Sequence, residues 1–341
     1  MILVLLSGIG LLLLIILVVM PAFKVAPFAY PAARLRASRA QFLRQDELHT
    51  LAHLGYHDVL VALDEKKHLE LTSLVTSSFP EEKVQRKIRQ YRLTNLSRLV
   101  AYTPSKYKPF FKVILSRETL EFIIAAIRSK QNKGFTSEIL SSMFTDKKFS
   151  VSDFDKLSME DLLSQLEKTG YGQTVTKFRA DILDGELEEF EAELNREYYK
   201  RLHAASNHAI LRSCARRVVD LHNIKQALCF IQFTPINGGS LSLEVMTALQ
   251  AASSLEDIKK ALEETYVHEF IKDGSSVQQM YQGLYRSFQS YADQLAIRQP
   301  LSLNQMIAFY VANIVEIKNM RILLKLTHAK FPTTEIEEAF I

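Results

Sequence analysis

Hydrophobic and polar positions divide the chain into two unequal regimes. Residues 2–20 are almost continuously Leu, Ile and Val, broken only by Ser7, Gly8 and Gly10, and Met1 to Ala22 carries no charged side chain. About 20 apolar residues rising 1.5 Å each cover the roughly 30 Å of bilayer hydrocarbon. Residues 1–22 therefore predict an N-terminal transmembrane helix. A cleaved leader would want a basic residue before a shorter run and small residues at its end. Here no basic side chain precedes the run, and Pro21, Phe23 and Lys24 follow it. Lys24, Arg34, Arg36, Arg39 and Arg44 all lie after the apolar segment. The positive-inside rule then predicts one pass of the cell membrane with the C-terminal bulk on the cytoplasmic side.

After residue 22 the pattern becomes amphipathic with helical spacing. Residues 23–29, next to Pro27 and Pro31, read as a connector. Leu35, Phe42 and Leu43 can then share one helix face, with the arginines elsewhere. Pro80-Glu81-Glu82 opens a helix with proline and acids at the positive end of the dipole. Pro104 and Pro109 bracket a loop before a buried-type helix from Ser116. Ser158-x-x-Asp161 has the form of a capping box. An acidic helix runs from Glu186 to about His203, and an apolar one from Ile210 to Ile231. Pro235-Ile-Asn-Gly-Gly239 is the clearest break. Helices near 243–252, 254–270, 277–297 and 302–330 complete the chain.

Two short phrases recur inside this pattern. Asp220-x-x-Asn223-x-Lys225 and Glu316-x-x-Asn319-x-Arg321 both read acid-x-x-Asn-x-base and lie 96 residues apart. A second anchor, Asp followed by a branched apolar residue and then Leu, occurs at Asp58/Leu63, Asp161/Leu166 and Asp257/Leu262. The last two copies are again 96 apart. Agreement of two independent anchors on one spacing predicts a helical unit of about 100 residues used three times. Its expected boundaries are 30–134, 135–234 and 235–341. Glu121 is the expected remnant of the acid in the first unit, with Ile124 and Ala126 in place of Asn and base. Asn is a poor helix-interior residue, because its amide competes for backbone groups. Asn223 and Asn319 are therefore expected to tie neighbouring helices together.

Composition narrows the function classes. Gly (11) and Pro (9) are scarce in 341 residues, and no proline occurs from Phe110 to Thr234. An all-α fold follows. A net charge of +4 gives no basic field that would argue for nucleic acid. Cys214 and Cys229 form no disulfide framework and suit a reducing compartment. No phosphate-binding or dinucleotide glycine motif and no Cys-x-x-Cys is present. His49, His53 and His57 stand four apart and could bind zinc on one helix, but Gly55 interrupts them and no His-Glu-x-x-His pattern completes the set. Catalytic, cofactor and metal residues are therefore not expected, nor a small-molecule substrate. A helical hydrolase built on the histidine row and a membrane-anchored helical scaffold remain the rival readings.

Three stretches carry a family resemblance. Tyr30-x-x-x-Arg34-Leu-Arg36-Ala37 with Phe42-Leu43, the Asp220 phrase, and Tyr310 through Arg321 with the later Phe331-Pro332 and Glu335-Ile-Glu-Glu338 resemble, in order and spacing, the C subunit of archaeal and bacterial A/V-type ATPases, the counterpart of the eukaryotic V-type d subunit. The resemblance covers about Tyr30 to Ile341. It implies three quasi-equivalent helical domains in a funnel-like arrangement and no active site. It also implies a place between the membrane proteolipid ring and central-stalk subunits of the D and F type, where the subunit passes torque for ATP-coupled proton or sodium transport. Two features depart from it: the first unit lacks the Asn-x-base pair, and the family core needs no membrane helix. The apolar segment adds membrane lipid as an expected partner.

Overall fold

The computed structural model describes residues 25–66, 81–132, 157–230 and 233–341. Among the described residues every regular element is a helix. Helix α1 covers residues 25–39. Two short helices follow, α2 (Gln45–Ala52) and α3 (Tyr56–Glu65), and then a long hairpin of α4 (Glu81–Tyr102) and α5 (Lys108–Asn132). Short helices α6 (Met159–Leu166), α7 (Gly172–Lys177) and α8 (Arg179–Asp184) precede the hairpin α9 (Glu188–Ala204) and α10 (Ala209–Ala227). Short helices α11 (Leu243–Ala251), α12 (Leu255–Ala261) and α13 (His268–Ile271) precede the hairpin α14 (Val277–Arg298) and α15 (Asn304–His328), and α16 (Thr333–Glu338) closes the chain. Short helices followed by a long hairpin thus occur three times.

The first anchor marks one local device. Asp58, Asp161 and Asp257 are each the third residue of α3, α6 and α12. Ser158 and Ser254 cap the latter two by accepting the N–H of Asp161 and Asp257. A carboxylate there also meets the positive end of the helix dipole. One turn on, Leu63, Leu166 and Leu262 are fully buried.

The packing clusters are offset from the sequence units. The N-terminal halves of α5, α10 and α15 share one central core through Phe110, Ile114, Leu211, Cys214, Met306 and Phe309. Beyond it the hairpins diverge. The C-terminal half of α10 (Ile224, Ala227, Leu228) packs with Leu249, Ile258 and Leu262 of the third set of short helices. The C-terminal half of α15 (Ile317, Met320, Leu323, Leu324) packs with Leu48, Val59, Leu63 and Ile88 at the start of the chain. Helix α5 contacts α6 and α9. Each hairpin therefore hands its last helix to the next set, and the third hands it back to the first. Each fully buried Leu or Ile in these joints is worth about 1.5–3 kcal/mol relative to exposure.

The structure corrects several expectations. Residues 25–29, expected as part of a connector, belong to α1. Pro31 deprives that helix of one backbone donor, but Ala29, Ala32 and Ala33 favour it, and Phe28 packs against Tyr107 with ring centroids 5.8 Å apart. Pro109 is not a loop residue: it lies in the first turn of α5, where its missing N–H is no loss. Residues 254–270 are not one helix, because turns at 262–267 separate α12 from α13. Among the described residues no helix is long and apolar enough to cross a membrane. The expected membrane helix at 1–22 lies outside the described residues.

Candidate functional site

The two copies of the polar phrase form two matching joints. Asp220 is fully buried on α10, and Asn223 is 1 % exposed. The Asp220 carboxylate accepts the N–H of Ser240 at 2.9 Å, the N–H of Leu241 at 3.2 Å and the hydroxyl of Tyr266 at 3.1 Å. The Asn223 amide makes a two-way bond with Ile236, accepting its N–H and donating to its carbonyl, both at 2.9 Å. On α15 the Glu316 carboxylate accepts the N–H of Leu43 and the hydroxyl of Tyr91, both at 3.1 Å. Asn319 accepts the N–H of Ile341 at 2.9 Å and donates to its carbonyl at 3.5 Å. In each joint the acid holds non-helical backbone and a tyrosine, while the amide mimics a strand partner for one residue. Buried main-chain polar groups need such partners. The amides were expected to tie helix to helix; they tie a helix to irregular chain.

Local sequence makes the first joint possible. Gly238 has φ +96°, a left-handed conformation that glycine adopts freely. A Cβ on Gly239 would lie 2.0 Å from Asp220 Oδ1. The break at 235–239 is thus the cradle of the carboxylate. Burial pushes the Asp220 carboxyl above its ordinary range against the donors that pull it down. The same burial pushes Glu316 up to about 8. Tyr91 and Tyr266 are raised by burial and by the carboxylates beside them.

Among the described residues the first unit has no such joint. Glu121 is half-exposed and pairs with Arg117 at 3.4 Å. A register offset of 97 aligns the buried positions Glu118, Phe122, Ile123, Ala126 and Ile127 with Ala215, Val219, Asp220, Asn223 and Ile224. Ile123 and Ala126 then stand where acid and amide are found elsewhere, and Glu121 is not the remnant of the acid. The base survives as Arg128, in the place of Lys225 and Arg321.

The three bases meet different partners. Arg128 makes a bidentate pair with Glu191 of α9 at 2.7 and 2.8 Å. Lys225 donates to the Tyr285 hydroxyl of α14 at 3.2 Å. Arg321 is exposed, yet burial by surrounding protein and the nearby Arg92 guanidinium lower its pKa. Lys318 lies 4.4 Å from the centre of the Tyr285 ring. Burial also holds Lys225 and Lys318 below the usual lysine range and pushes His222 down to about 3. The neighbouring carboxylates are already engaged: Glu118 by Arg89 at 3.1 Å and Arg92 at 2.8 Å, Glu121 by Arg117. Sequence reasoning missed Lys318, Arg92 and the two tyrosines. Lys318 was visible as a cation within an apolar helix, but its convergence with α4 and α10 was not.

Other candidates separate. His49 and His53 both approach Glu337, at 3.2 and 3.3 Å, while His57 sits exposed on a different helix, α3. No group of three or more His, Cys, Asp or Glu side chains among the described residues could hold a metal ion. Cys214 is buried and Cys229 exposed, and both are free. The acidic helix α9 is laced by ion pairs of Arg196 with Glu189 and Glu193 and of Arg201 with Glu197.

A family profile described as ATP synthase (C/AC39) subunit matches residues 31–339. The chain belongs to this family. The A-type ATP synthase C subunit of Thermococcus onnurineus is 24 % identical over 326 residues, covering 89 % of this chain and 87 % of its own length. The same subunit of Pyrococcus horikoshii is 24 % identical over 345 residues, with 93 % and 90 % covered, and that of Methanosphaera stadtmanae 24 % over 361 residues, with 96 % and 91 % covered. The Asp220–Asn223 joint of this C/AC39 chain falls inside the matched region, as do Glu316 and Asn319, while Ile341, the partner of Asn319, lies just beyond it.

Proposed function

We propose that this C/AC39 chain is the non-catalytic central-axis subunit of a rotary A/V-type ATPase. In this reading it links the membrane proteolipid ring to central-stalk subunits of the D and F type and passes torque between them. The observation that carries the reading is the cyclic hand-over of helices. A part on a rotation axis transmits load around its whole circumference, and three quasi-equivalent units of about 100 residues, joined each to the next and the last to the first, suit that task. The bonds of Asp220 and Asn223, and of Glu316 and Asn319, serve as the polar pins of two joints. Residues 1–22 add a single membrane pass that fastens the subunit to the lipid or within the ring.

Affinity purification of the tagged full chain from detergent-solubilised membranes tests the assignment. Ring and stalk subunits are expected to co-purify in fixed ratio. Recovery of the chain without any ATPase subunit would overturn it. Deleting residues 1–22 is expected to weaken retention on the isolated ring, and unchanged retention would remove the membrane pass from the reading.

A further inference from the structure

The repeat exposes a missing partner. Position 128 of the first unit and its counterparts 225 and 321 each carry a base, and Arg128 and Lys225 reach the next hairpin. Arg128 finds a carboxylate there, Glu191, and is satisfied by two parallel bonds. A guanidinium and a carboxylate match in charge and geometry. Lys225 finds tyrosines, the Tyr285 hydroxyl and the rings of Tyr281 and Tyr285, and no carboxylate at ion-pair distance among the described residues. Arg321 finds no carboxylate at ion-pair distance among the described residues; its surroundings include Arg89 and Arg92 as well as Glu118 and Glu121. Lys318 and Lys225 both sit on the same Tyr285, one over the ring and one at the hydroxyl. The group therefore joins Arg89, Arg92, Arg117, Lys225, Lys318 and Arg321 against Glu118 and Glu121. Both carboxylates are consumed by the arginines of α4 and α5. That leaves the cations of α10 and α15 uncompensated.

Like charges gathered among protein walls repel more strongly than in open water. The region is still open to ions, since Arg321 is exposed and Lys225 and Lys318 are half-exposed. Three cations on two helices, with an Arg fork and two mobile ammonium groups, form a receptor for an oxyanion with several charged oxygens. We propose that Lys225, Lys318 and Arg321 bind a multivalent oxyanion of the phosphate class beside Tyr285, between α10 and the face of α15 that follows Lys318 by one turn. The anion takes the part that Glu191 plays for Arg128. It joins the second hairpin to the third and relieves the repulsion among the cations of α10 and α15. The site lies wholly within one polypeptide and does not depend on the chain's place in a rotary complex.

The test uses the purified full chain in detergent. Calorimetric titrations with inorganic phosphate, with pyrophosphate and with ADP are compared with chloride at matched ionic strength, and thermal unfolding is followed in parallel. Saturable one-to-one binding is expected for at least one phosphate compound, with a rise in melting temperature that chloride does not reproduce. Tighter binding of ADP than of pyrophosphate would identify a nucleotide as the source of the phosphate. Arg321→Gln and Lys318→Gln are each expected to weaken binding roughly tenfold, and Arg128→Gln to leave it unchanged. Because each of the first two substitutions removes a repelled cation, both variants should be at least as stable as the parent without anion, a result that a merely structural role would not give. The proposal is overturned if no phosphate compound saturates, if the ion is adventitious and Arg321→Gln binds as tightly as the parent, or if the cluster instead binds only an acidic partner protein.

Discussion

Glu316 accepts the backbone N–H of Leu43 across a separation of 273 positions, and the contact is buried. It is the polar centre of the joint between α15 and the beginning of the chain. Replacing Glu316 with Ala would leave Leu43 N–H and the Tyr91 hydroxyl without that acceptor. An unsatisfied buried donor costs about 1–3 kcal/mol, and urea unfolding should show a loss of that order. A midpoint unchanged from the parent would exclude Glu316 as the pin of the joint.

The same residue makes stability depend on pH. Its carboxyl is raised from the ordinary 4.5 to about 8 in the folded chain. Between those values the folded state binds more protons than the unfolded state, so stability falls as pH rises. The contribution is fully present below about 4.5 and lost as pH passes through about 8. Its slope approaches about 1.4 kcal/mol per pH unit in between. Glu316→Gln keeps an acceptor and cannot ionise, so the difference between parent and variant should change with this slope. A difference that stays constant from about pH 5 to about pH 9 would refute the assignment.

The two amides should not respond equally. Asn223→Leu strands both the N–H and the carbonyl of Ile236, which is 7 % exposed. A loss of about 2–4 kcal/mol is expected. Asn319→Leu strands Ile341, which is half-exposed and whose carbonyl bond is already long at 3.5 Å. About 1 kcal/mol is expected there. Chemical denaturation of both variants side by side checks the order, and the reverse order would contradict it.

Gly239→Ala places a methyl group against the Asp220 carboxylate, 2.0 Å from Oδ1 before any adjustment. The loop must withdraw, taking Ser240 N–H with it. A destabilisation of about 2–4 kcal/mol is expected. Loss of hydrogen-exchange protection at Ser240 and Leu241, with protection elsewhere in α10 retained, would locate the effect.

The two thiols report on the central core. Cys214 is fully buried and its thiol is pushed up to about 12 by burial. Cys229, just past the C-terminal end of α10, is exposed. One thiol should react with a disulfide reagent in the native protein and two after unfolding. Two reactive thiols at once in the native state would mean that α10 does not sit in the core as described.

Much of the fold was legible because it is written locally. The serine and aspartate of Ser158-x-x-Asp161 set a helix start with no help from elsewhere. The Asp161 and Asp257 anchors fall at one helical position for the same reason, and Asp58 holds that position after Gly55. Where packing decided the outcome, local rules failed. Pro31 lies within α1 because alanines and the Phe28 contact outweigh one missing donor. The first-unit counterpart of the acid was misplaced by two residues, since a carboxylate at 121 is conspicuous in sequence and an isoleucine at 123 is not. Only burial along α5 shows which of them faces the core. The partners of Glu316 were beyond reach because Leu43 and Tyr91 lie more than two hundred residues away. A helical period says which face is buried, not what covers it.

The joints between successive hairpins differ in one respect. The polypeptide itself crosses two of them, on its way from α5 to α9 and from α10 to α14. Among the described residues the third, where α15 and α16 meet α2, α3 and α4, is held by side-chain packing and hydrogen bonds between the last helices and the first. That joint is a clasp on an otherwise continuous necklace. Unfastening it severs no covalent path and leaves three hairpins on an open string.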